Sequence, residues 1–325
     1  MTRYEILTAW LRCFFDGAIT LKPASNDASF RRYYRITRNK ESFIVMDAPP
    51  DKESISSFIS IARKLYGDNV RVPYLHEINL EQGFILMEDF GSQTYSDAFV
   101  SKDPFDLYKK ALQELFTIQK KCRYKNIPSY TPTLLRKEMS LFETWYLNKY
   151  KKIILNDNEK NDLSKTINMI TTSNKKQPQL FVHRDFHCRN LMFIDGQNGP
   201  GIIDFQDAVN GPITYDLVSL LKDAYYELEE DAVLDMIIHY WEELIKANLM
   251  TRNEFAEFYK SFELMGVQRH LKILGIFARL HLRDNKKQYL NNLPLVEKYL
   301  MQTTQRYKEL FPLRNILTKA LKDDN

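Results

Sequence analysis

The chain has 325 residues, of which 44% are hydrophobic and 27% are charged, and its formal net charge is +4. This composition is ordinary for a globular protein, and the length suffices for one large domain or two lobes. Because 46 basic residues are scattered among 42 acidic ones, the charge gives no reason to expect a nucleic-acid or membrane partner.

The cysteines and the apolar segments predict a cytoplasmic protein. Cys13, Cys122 and Cys188 are far apart and lack metal-ligand spacing, so we expect reduced thiols. No run reaches the roughly 18 to 20 apolar residues that a membrane span requires. The start of the chain, MTRYEILTAWLRCFFDG, has charges among its apolar residues and predicts an amphipathic helix rather than a signal peptide.

After that helix, the first part of the chain predicts a small α+β lobe. Short runs rich in β-branched and aromatic residues predict strands at residues 18–24, 29–36, 41–48, 72–79 and 83–91. A helical period of apolar residues predicts one helix over Glu53–Tyr66. We therefore predict a nucleotide-binding lobe, with its leading helix, over residues 1–90.

The rest of the chain, residues 91–325, is mostly helical in pattern. Apolar periodicity predicts seven helices, over Leu107–Arg123, Leu134–Tyr150, Glu159–Thr172, Tyr215–Tyr226, Ala232–Ala247, Asn253–Arg283 and Pro294–Leu310. The segments HRDFHCRN and GIIDFQD form a non-helical island among them. The fold predicted is α+β and bilobal, protein-kinase-like, with a small β-rich N-lobe and a larger helical C-lobe.

HRDFHCRN, residues 183–190, carries the chemistry. Asp185 on a loop can accept the proton of a substrate hydroxyl. Asn190 lies five residues later, and Asp204 follows the apolar pair Ile202-Ile203; both offer hard oxygen ligands for Mg²⁺ on nucleotide phosphates. The spacing predicts a phosphoryl-transfer enzyme that uses ATP and Mg²⁺, with Asp185 as catalytic base and Asn190 and Asp204 as metal ligands.

Three neighbouring residues refine this prediction. Protein kinases place a Lys two residues after the catalytic Asp, and His187 stands there, as in small-molecule kinases; His187 either contacts substrate or braces the loop. Asp207 either contacts a metal or the sugar, or caps a loop. Asp216 opens a helix and is assigned a structural role, anchoring the catalytic loop.

The predicted phosphate loop, PASNDASFRRYYR, contains no glycine. Small residues there leave backbone amides open to phosphate, and arginines follow at once. The nucleotide contacts predicted in this segment are Ser25, Asn26, Ala28, Ser29, Arg31 and Arg32. Because side chains alternate along a strand, Arg31 and Arg35 should share a face that Arg32 does not.

The usual phosphate-binding Lys has no counterpart on the third strand, where Met46 occupies the expected position. Arg31 or Arg32 is the predicted substitute. Without that Lys, Glu53 is assigned as a helix N-terminal acid. The segment GFILMEDFG resembles an interlobe linker, where main-chain groups of Glu88 and Phe90 would hold adenine, with Met87 against the ring.

The chain resembles one family in particular, the cell-wall-recycling amino-sugar kinases of the aminoglycoside phosphotransferase superfamily. The matching strings are NDASFRRYYRI, FIVMDAPP, GFILMEDFG, VHRDFHCRNLM, GPGIIDFQDAVNGPITYDLVSLLKDAY, QRHLKILGIFARLHLRD and YLNNLPLVEKYL. The resemblance implies transfer of the ATP γ-phosphoryl group to the anomeric C1 hydroxyl of N-acetylmuramate or N-acetylglucosamine in peptidoglycan recycling. The residues by themselves imply only a small-molecule kinase.

The acceptor-binding residues are less defined. N-acetylmuramate carries a lactyl carboxylate, for which Arg is the preferred partner, and an aromatic face could stack on the sugar. The predicted substrate residues are His187, Asp207, Trp145, Arg269 and Arg283, and His270, Arg279 and Tyr146 are further candidates. No obligate protein partner is expected.

Two alternatives remain open from the sequence. An aminoglycoside or other hydroxyl phosphotransferase would share the catalytic motif, although a polycationic substrate favours a more acidic site. A nucleotide-binding pseudokinase is suggested by Met46 but opposed by the intact Asp185, Asn190 and Asp204.

Overall fold

The computed structural model describes residues 1–25, 30–38, 41–122, 124, 126–250 and 255–322, with only the backbone of Ser25. The chain divides into two compact units. The first comprises Met1–Val100 with Asn190–Asp207, and the second Ser101–Arg189 with Ala208–Asn325. The sequence predicts one division, after residue 90, whereas in the structure the segment that carries Asn190 and Asp204 groups with the first unit.

The first unit is built on a five-stranded antiparallel sheet in the order β1-β2-β3-β5-β4. Its elements are α1 (Arg3–Leu11), β1 (Lys22–Ser25), β2 (Arg32–Arg38), β3 (Glu41–Asp47), α2 (Ser56–Gly67), β4 (Leu75–Asn79), β5 (Phe84–Glu88) and α3 (Tyr95–Ala98). Leu7 and Leu11 of α1 pack with Ile36, Val45 and Phe84 in one apolar cluster. Burial of this face holds α1 on the sheet.

A short two-stranded ribbon completes the first unit. Strands β7 (Leu191–Met192) and β8 (Gly201–Ile202) pair antiparallel, with Leu191 opposite Ile202. The ribbon is tied to the rest of the unit by a hydrogen bond of 2.7 Å from the Ile202 amide to the Arg71 carbonyl. It therefore fixes where Asn190, just before β7, and Asp204, just after β8, are placed.

The second unit is mostly helical. Its helices are α4 (Pro104–Lys121), α5 (Pro132–Leu141), α6 (Asp157–Lys176), α7 (Tyr215–Leu221), α8 (Glu230–Lys246), α9 (Phe255–Asp284), α10 (Leu293–Arg306) and α11 (Phe311–Lys322). A π-helical segment, Phe142–Tyr150, continues α5, and 3₁₀ turns cover Lys287–Asn292 and Lys308–Leu310. Strands β6 (Gln179–Val182) and β9 (Val209–Pro212) pair antiparallel. The 30-residue helix α9 packs on α5, α6, α7 and α10.

The predicted α+β fold class, with a small β-rich part and a larger helical part, is confirmed, and the differences lie at element ends and in elements that the sequence did not predict. Helices α4 and α5 start earlier than predicted because Asp103 and Thr131 cap them, each followed by a proline at the first helical position. Helix α7 stops at Leu221 instead of Tyr226. Helix α11 has no counterpart in the prediction. In the described ranges, no helix is both long and apolar enough to cross a membrane.

Candidate active site

The loop that carries Asp185 is anchored by a buried carboxylate. It follows strand β6, and the amides of His183 and Arg184 donate to the two oxygens of Asp216 at 2.6 and 3.0 Å. Arg184 has a φ of +81°, a left-handed conformation that is unusual outside glycine. Burial raises the pKa of Asp216 to about 7, against the effect of the two amides. As predicted, Asp216 is structural, at the start of α7.

Charged side chains from two helices form a network beneath this loop. Glu138 of α5 accepts from the Arg184 guanidinium at 2.6 Å and pairs with Lys272 of α9 at 3.4 Å. The Tyr130 hydroxyl and the Gln268 amide also donate to Glu138. Burial raises the pKa of Glu138, but Lys272 and Arg184 outweigh it and leave the pKa below its usual range. The ionised carboxylate of Glu138 therefore holds the Arg184 guanidinium in place.

Asp185 is ionised at neutral pH. Burial raises its pKa, but Lys272, Arg269, His187 and His183 together outweigh that effect and lower it to about 2. One guanidinium nitrogen of Arg269 lies 3.8 Å from a carboxylate oxygen of Asp185. The Asp185 side chain is 39% exposed, so it remains accessible to a substrate. A carboxylate this acidic can orient and accept from a hydroxyl but is a weak base on its own.

The second half of the loop is fixed by Asp223, just after α7. The amide of Cys188 donates to one oxygen of Asp223 at 3.0 Å, and the amide of Tyr225 donates to the other at 3.0 Å. The ring of His187 meets the Tyr225 ring edge-on, with centroids 5.2 Å apart. Burial lowers the pKa of His187, so its imidazole is neutral. Its Nδ1 is buried and has no hydrogen-bond partner among the described residues.

Asn190 and Asp204 lie together in the first unit. The Asn190 amide nitrogen is 3.3 Å from one Asp204 carboxylate oxygen, and the Gln206 amide donates to the other at 2.7 Å. Asp204 has a φ of +65°, so it leaves β8 through a left-handed turn. Mg²⁺ is commonly bound by one or two carboxylates plus substrate phosphates, so a carboxylate and an asparagine side chain are suitable groups, although here the nitrogen of Asn190 faces Asp204. Within the described ranges, no cluster of three or more His, Cys, Asp or Glu suits a metal.

Arg31 or Arg32 is the predicted cation for the nucleotide phosphates, and Arg31 lies next to β2. Its guanidinium makes an ion pair with Glu53, and the arginine is only 8% exposed. Met46 is fully buried opposite Tyr33 in the β2–β3 register and carries no polar group. Glu53 is thus an ion-pair partner rather than a cap of α2. Arg32 is exposed, and Arg35 pairs with Asp89 instead.

The other predicted nucleotide residues are only partly described. Asn26, Ala28 and Ser29 lie outside the described residues, and Ser25 is the last residue of β1. Met87 is buried in β5. The amide of Glu88 donates to the Tyr74 carbonyl, and its side chain pairs with Arg71. The Arg71 guanidinium also lies 4.9 Å from the Phe90 ring centroid. Adenine binding by the Glu88 carbonyl and the Phe90 amide stays a prediction.

The predicted substrate residues are in different surroundings. Arg269 is buried below the loop, where it donates to the Arg184 carbonyl at 2.7 Å. Arg283, at the end of α9, is exposed and pairs with Asp284. Asp207 is exposed, and the Lys149 ammonium lies 3.8 Å from the Trp145 ring centroid. Of these side chains, Arg269 contacts Asp185.

Sequence reasoning missed Glu138, Lys272, Asp223, Tyr225 and Arg189. The signal for Lys272 was present, because it is spaced three residues after Arg269 on a helix whose other residues there are mostly apolar. A charge on the apolar face of a helix marks a buried partner. Its partner on α5 could not be read from spacing.

Comparisons with known proteins identify the family of the chain. The profile of the phosphotransferase enzyme family matches residues 20–254. The N-acetylmuramate/N-acetylglucosamine kinase of Neisseria meningitidis serogroup B is 40% identical, over 100% of this chain and 98% of that protein. The kinase of the same name from Pseudomonas putida is 37% identical, over 98% and 96%.

A solved structure supports the fold. An ADP-bound aminoglycoside phosphotransferase superposes with a TM-score of 0.60 at 14% identity, covering 90% of this chain and 96% of that one. The sequence profile and the full-length matches decide the family. This chain belongs to the phosphotransferase enzyme family, in the group that contains the N-acetylmuramate/N-acetylglucosamine kinases of Neisseria and Pseudomonas.

Proposed function

We propose that this protein is an ATP- and Mg²⁺-dependent kinase that phosphorylates the anomeric C1 hydroxyl of N-acetylmuramate and N-acetylglucosamine. The observation that carries the proposal is an ionised, accessible Asp185 on a loop whose amides are pinned by Asp216. The two relatives at 40% and 37% identity, both named for these sugars, supply the substrate class. The role in peptidoglycan recycling, and the cytoplasm as the compartment that supplies ATP, belong to the same proposal.

Asp185 would orient the C1 hydroxyl and accept its proton. An anomeric hydroxyl is more acidic than an ordinary alcohol, so the low pKa of Asp185 suits this acceptor better than a plain alcohol. Neutral His187, with its unpartnered Nδ1, would bind a neighbouring sugar hydroxyl. Most of the rate enhancement would come from positioning and charge neutralisation, as in phosphoryl transfer generally.

Asn190 and Asp204 would hold Mg²⁺, and the Arg31–Glu53 pair would set a cation for the nucleotide phosphates. Mg²⁺ would neutralise charge on the phosphates during transfer. Support for ATP comes from the family match and from the ADP-bound neighbour of the same fold. On the nucleotide side, the contacts proposed from sequence at Ser25, Arg32, Met87, Glu88 and Phe90 complete the assignment.

The charges around Asp185 oppose an aminoglycoside acceptor. Arg269 and Lys272 both lie close enough to lower the pKa of Asp185. A polycationic antibiotic would be repelled by these two fixed cations. Kanamycin therefore belongs in the substrate panel as the expected non-substrate.

The test is to incubate the protein with ATP, Mg²⁺ and a panel of N-acetylmuramate, N-acetylglucosamine, N-acetylgalactosamine, glucose and kanamycin. We expect phosphate on C1 of the first two sugars, located by ³¹P and ¹³C NMR. Asp185→Asn should lower kcat by about 10²- to 10⁴-fold, the range for loss of a general base. Asp231→Asn, at an exposed acid in the first turn of α8, is the matched control and should keep full activity. Absence of turnover with both amino sugars would refute the proposal.

A further inference from the structure

Arg189 is a cation of the catalytic loop for which the part of the chain that the structure describes supplies no ion-pair partner. It is exposed, and among the described residues it has no ion pair. The other cations close to Asp185 are already committed: Arg269 donates to the Arg184 carbonyl and to Tyr215, and Lys272 pairs with Glu138. A guanidinium left without a partner next to a catalytic residue is available to an anionic ligand.

The guanidinium of Arg189 is held in place by an aromatic ring. Its central carbon lies 3.7 Å from the centroid of the Tyr225 ring. Tyr225 also meets His187 edge-on and packs against Phe277, whose ring centroid is 6.1 Å away. A stacked guanidinium keeps the N–H groups at its edge free for hydrogen bonds. Arg189 can therefore make a bidentate contact without leaving the ring.

The ring and the loop are fastened to each other by Asp223. One oxygen of this buried carboxylate accepts from Cys188, the residue before Arg189, and the other accepts from Tyr225. The position of Arg189 relative to Tyr225 is thus set by two backbone hydrogen bonds. Such preorganisation lowers the entropy lost when a ligand binds.

Arg189 is also close to the reacting centre. It lies four residues after Asp185, and the two are bridged in space by His187 and Tyr225. Burial raises the pKa of the Tyr225 phenol, and among the lesser influences Arg189 lowers it while Asp185 raises it. Tyr225 is therefore within electrostatic reach of both the base and the free guanidinium. An acceptor on Asp185 would have Arg189 and the Tyr225 ring beside it.

The two proposed amino sugars differ by one anionic group. N-acetylmuramate carries a lactyl carboxylate that N-acetylglucosamine lacks, and carboxylates prefer the fork of an arginine. The arginines that the sequence suggested for this contact fit it less well, because Arg269 is buried under the loop and Arg283 already pairs with Asp284.

We infer that Arg189, stacked on Tyr225, binds the lactyl carboxylate of N-acetylmuramate and so sets the preference between the two acceptor sugars. The inference rests on the proposed function, since it assigns a group to one of its substrates. It makes Arg189 a specificity residue that touches the acceptor, distinct from the base Asp185.

The experiment measures kcat/KM of the wild type and of Arg189→Met with three acceptors: N-acetylmuramate, its uncharged methyl ester and N-acetylglucosamine. Met keeps an apolar stem over Tyr225 but removes the charge. We expect kcat/KM for N-acetylmuramate to fall by roughly 10- to 100-fold more than for the other two, the scale of a charge-assisted hydrogen bond. Arg189→Lys keeps the charge without the fork and should fall between wild type and Arg189→Met.

Arg314→Met is the matched control, because Arg314 also lies over an aromatic ring, that of Phe311 on α11, at 5.8 Å. It should leave the ratio between the three acceptors unchanged. An equal loss on all three acceptors in Arg189→Met would overturn the inference and indicate a role in folding or in phosphate binding. A raised KM for ATP would also count against it. Failure of the proposed function is recognised separately, because then the wild type itself turns over none of the three sugars.

Discussion

At the scale of single residues, we propose that the Arg31–Glu53 ion pair takes the place of the lysine that is absent at Met46. Kinases of related fold pair a strand lysine with a helix glutamate to hold nucleotide phosphates. Here the cation is Arg31, which lies beside β2 instead of on β3, and the acid is Glu53, which precedes α2. Because an arginine is longer than a lysine and offers five donors, it can bind Glu53 and still reach a phosphate.

We therefore expect Arg31→Met to lower kcat/KM for ATP by about 10- to 100-fold, the range for losing a charged hydrogen bond. Glu53→Gln should lower it less, since the cation stays. The double variant should be no worse than Arg31→Met, because the two residues act as one pair. Steady-state kinetics with varied ATP gives these values. Arg38→Met, at the other end of β2, is the control, and an unchanged kcat/KM in Arg31→Met would contradict the assignment.

The residues that the sequence could predict are those with fixed local spacing. Asp185, Asn190 and Asp204 belong to short motifs between apolar segments, so their positions follow from the chain itself. Arg31 with Glu53, and Glu138 with Lys272, are pairs brought together by tertiary packing over 22 and 134 residues. Spacing within one element carries no information about a partner on another, so these pairs were found only in the structure.

At the scale of elements, α9 depends on a close approach to α5. A Cβ added at Gly275 would lie 2.4 to 2.5 Å from three atoms of Leu141, two of them backbone, where α5 passes into the π-helical segment. Gly266, on the same helix, has no neighbour nearer than 3.8 Å in such a test. One glycine of α9 is therefore required by packing and the other is not.

Gly275→Ala should destabilise the protein by about 1–3 kcal/mol, the usual range for overpacking a core. Gly266→Ala should be neutral or stabilise by about 0.5–1 kcal/mol, because alanine is the better helix former and the space is open. Urea unfolding followed by circular dichroism measures both. If Gly275→Ala were as stable as the wild type, the contact between α9 and Leu141 would be wrong.

Element boundaries show where sequence periodicity stops being informative. Apolar periodicity located seven helices, but α7 ends at Leu221, five residues before its predicted end at Tyr226. The Tyr225 amide is taken by the Asp223 side chain, an alternative to a helical carbonyl that aspartate commonly offers. The Asp223 side chain and a helical carbonyl compete for the Tyr225 amide. The side chain is favoured because the same carboxylate also binds the catalytic loop through the Cys188 amide.

At the scale of the whole molecule, the second unit buries several ionisable groups, and its stability must depend on pH. Lys222 pairs with Glu263 at 2.5 Å, and both are almost fully buried. Buried pairs are weak evidence of stability, because desolvation opposes their attraction. Burial raises the pKa of Asp216 to about 7, so the stability that this group contributes to the folded protein is lost as pH rises from about 4 towards 7. A second group acts in the opposite direction.

His270 is buried and neutral, and its Nε2 lies 3.2 Å from the Lys222 carbonyl, to which it must donate. Burial lowers its pKa to about 3, below the roughly 6.5 of an unfolded histidine, so its contribution is full above pH 6.5 and falls as pH drops towards 3. The stability advantage of wild type over His270→Gln should therefore shrink by about 2 kcal/mol between pH 7.5 and 5, at 1.36 kcal/mol per pH unit. Urea unfolding at both pH values measures it. His239→Gln, at an exposed position on α8, is the control. An equal pH response of the unfolding free energy in the two variants would exclude a neutral buried His270.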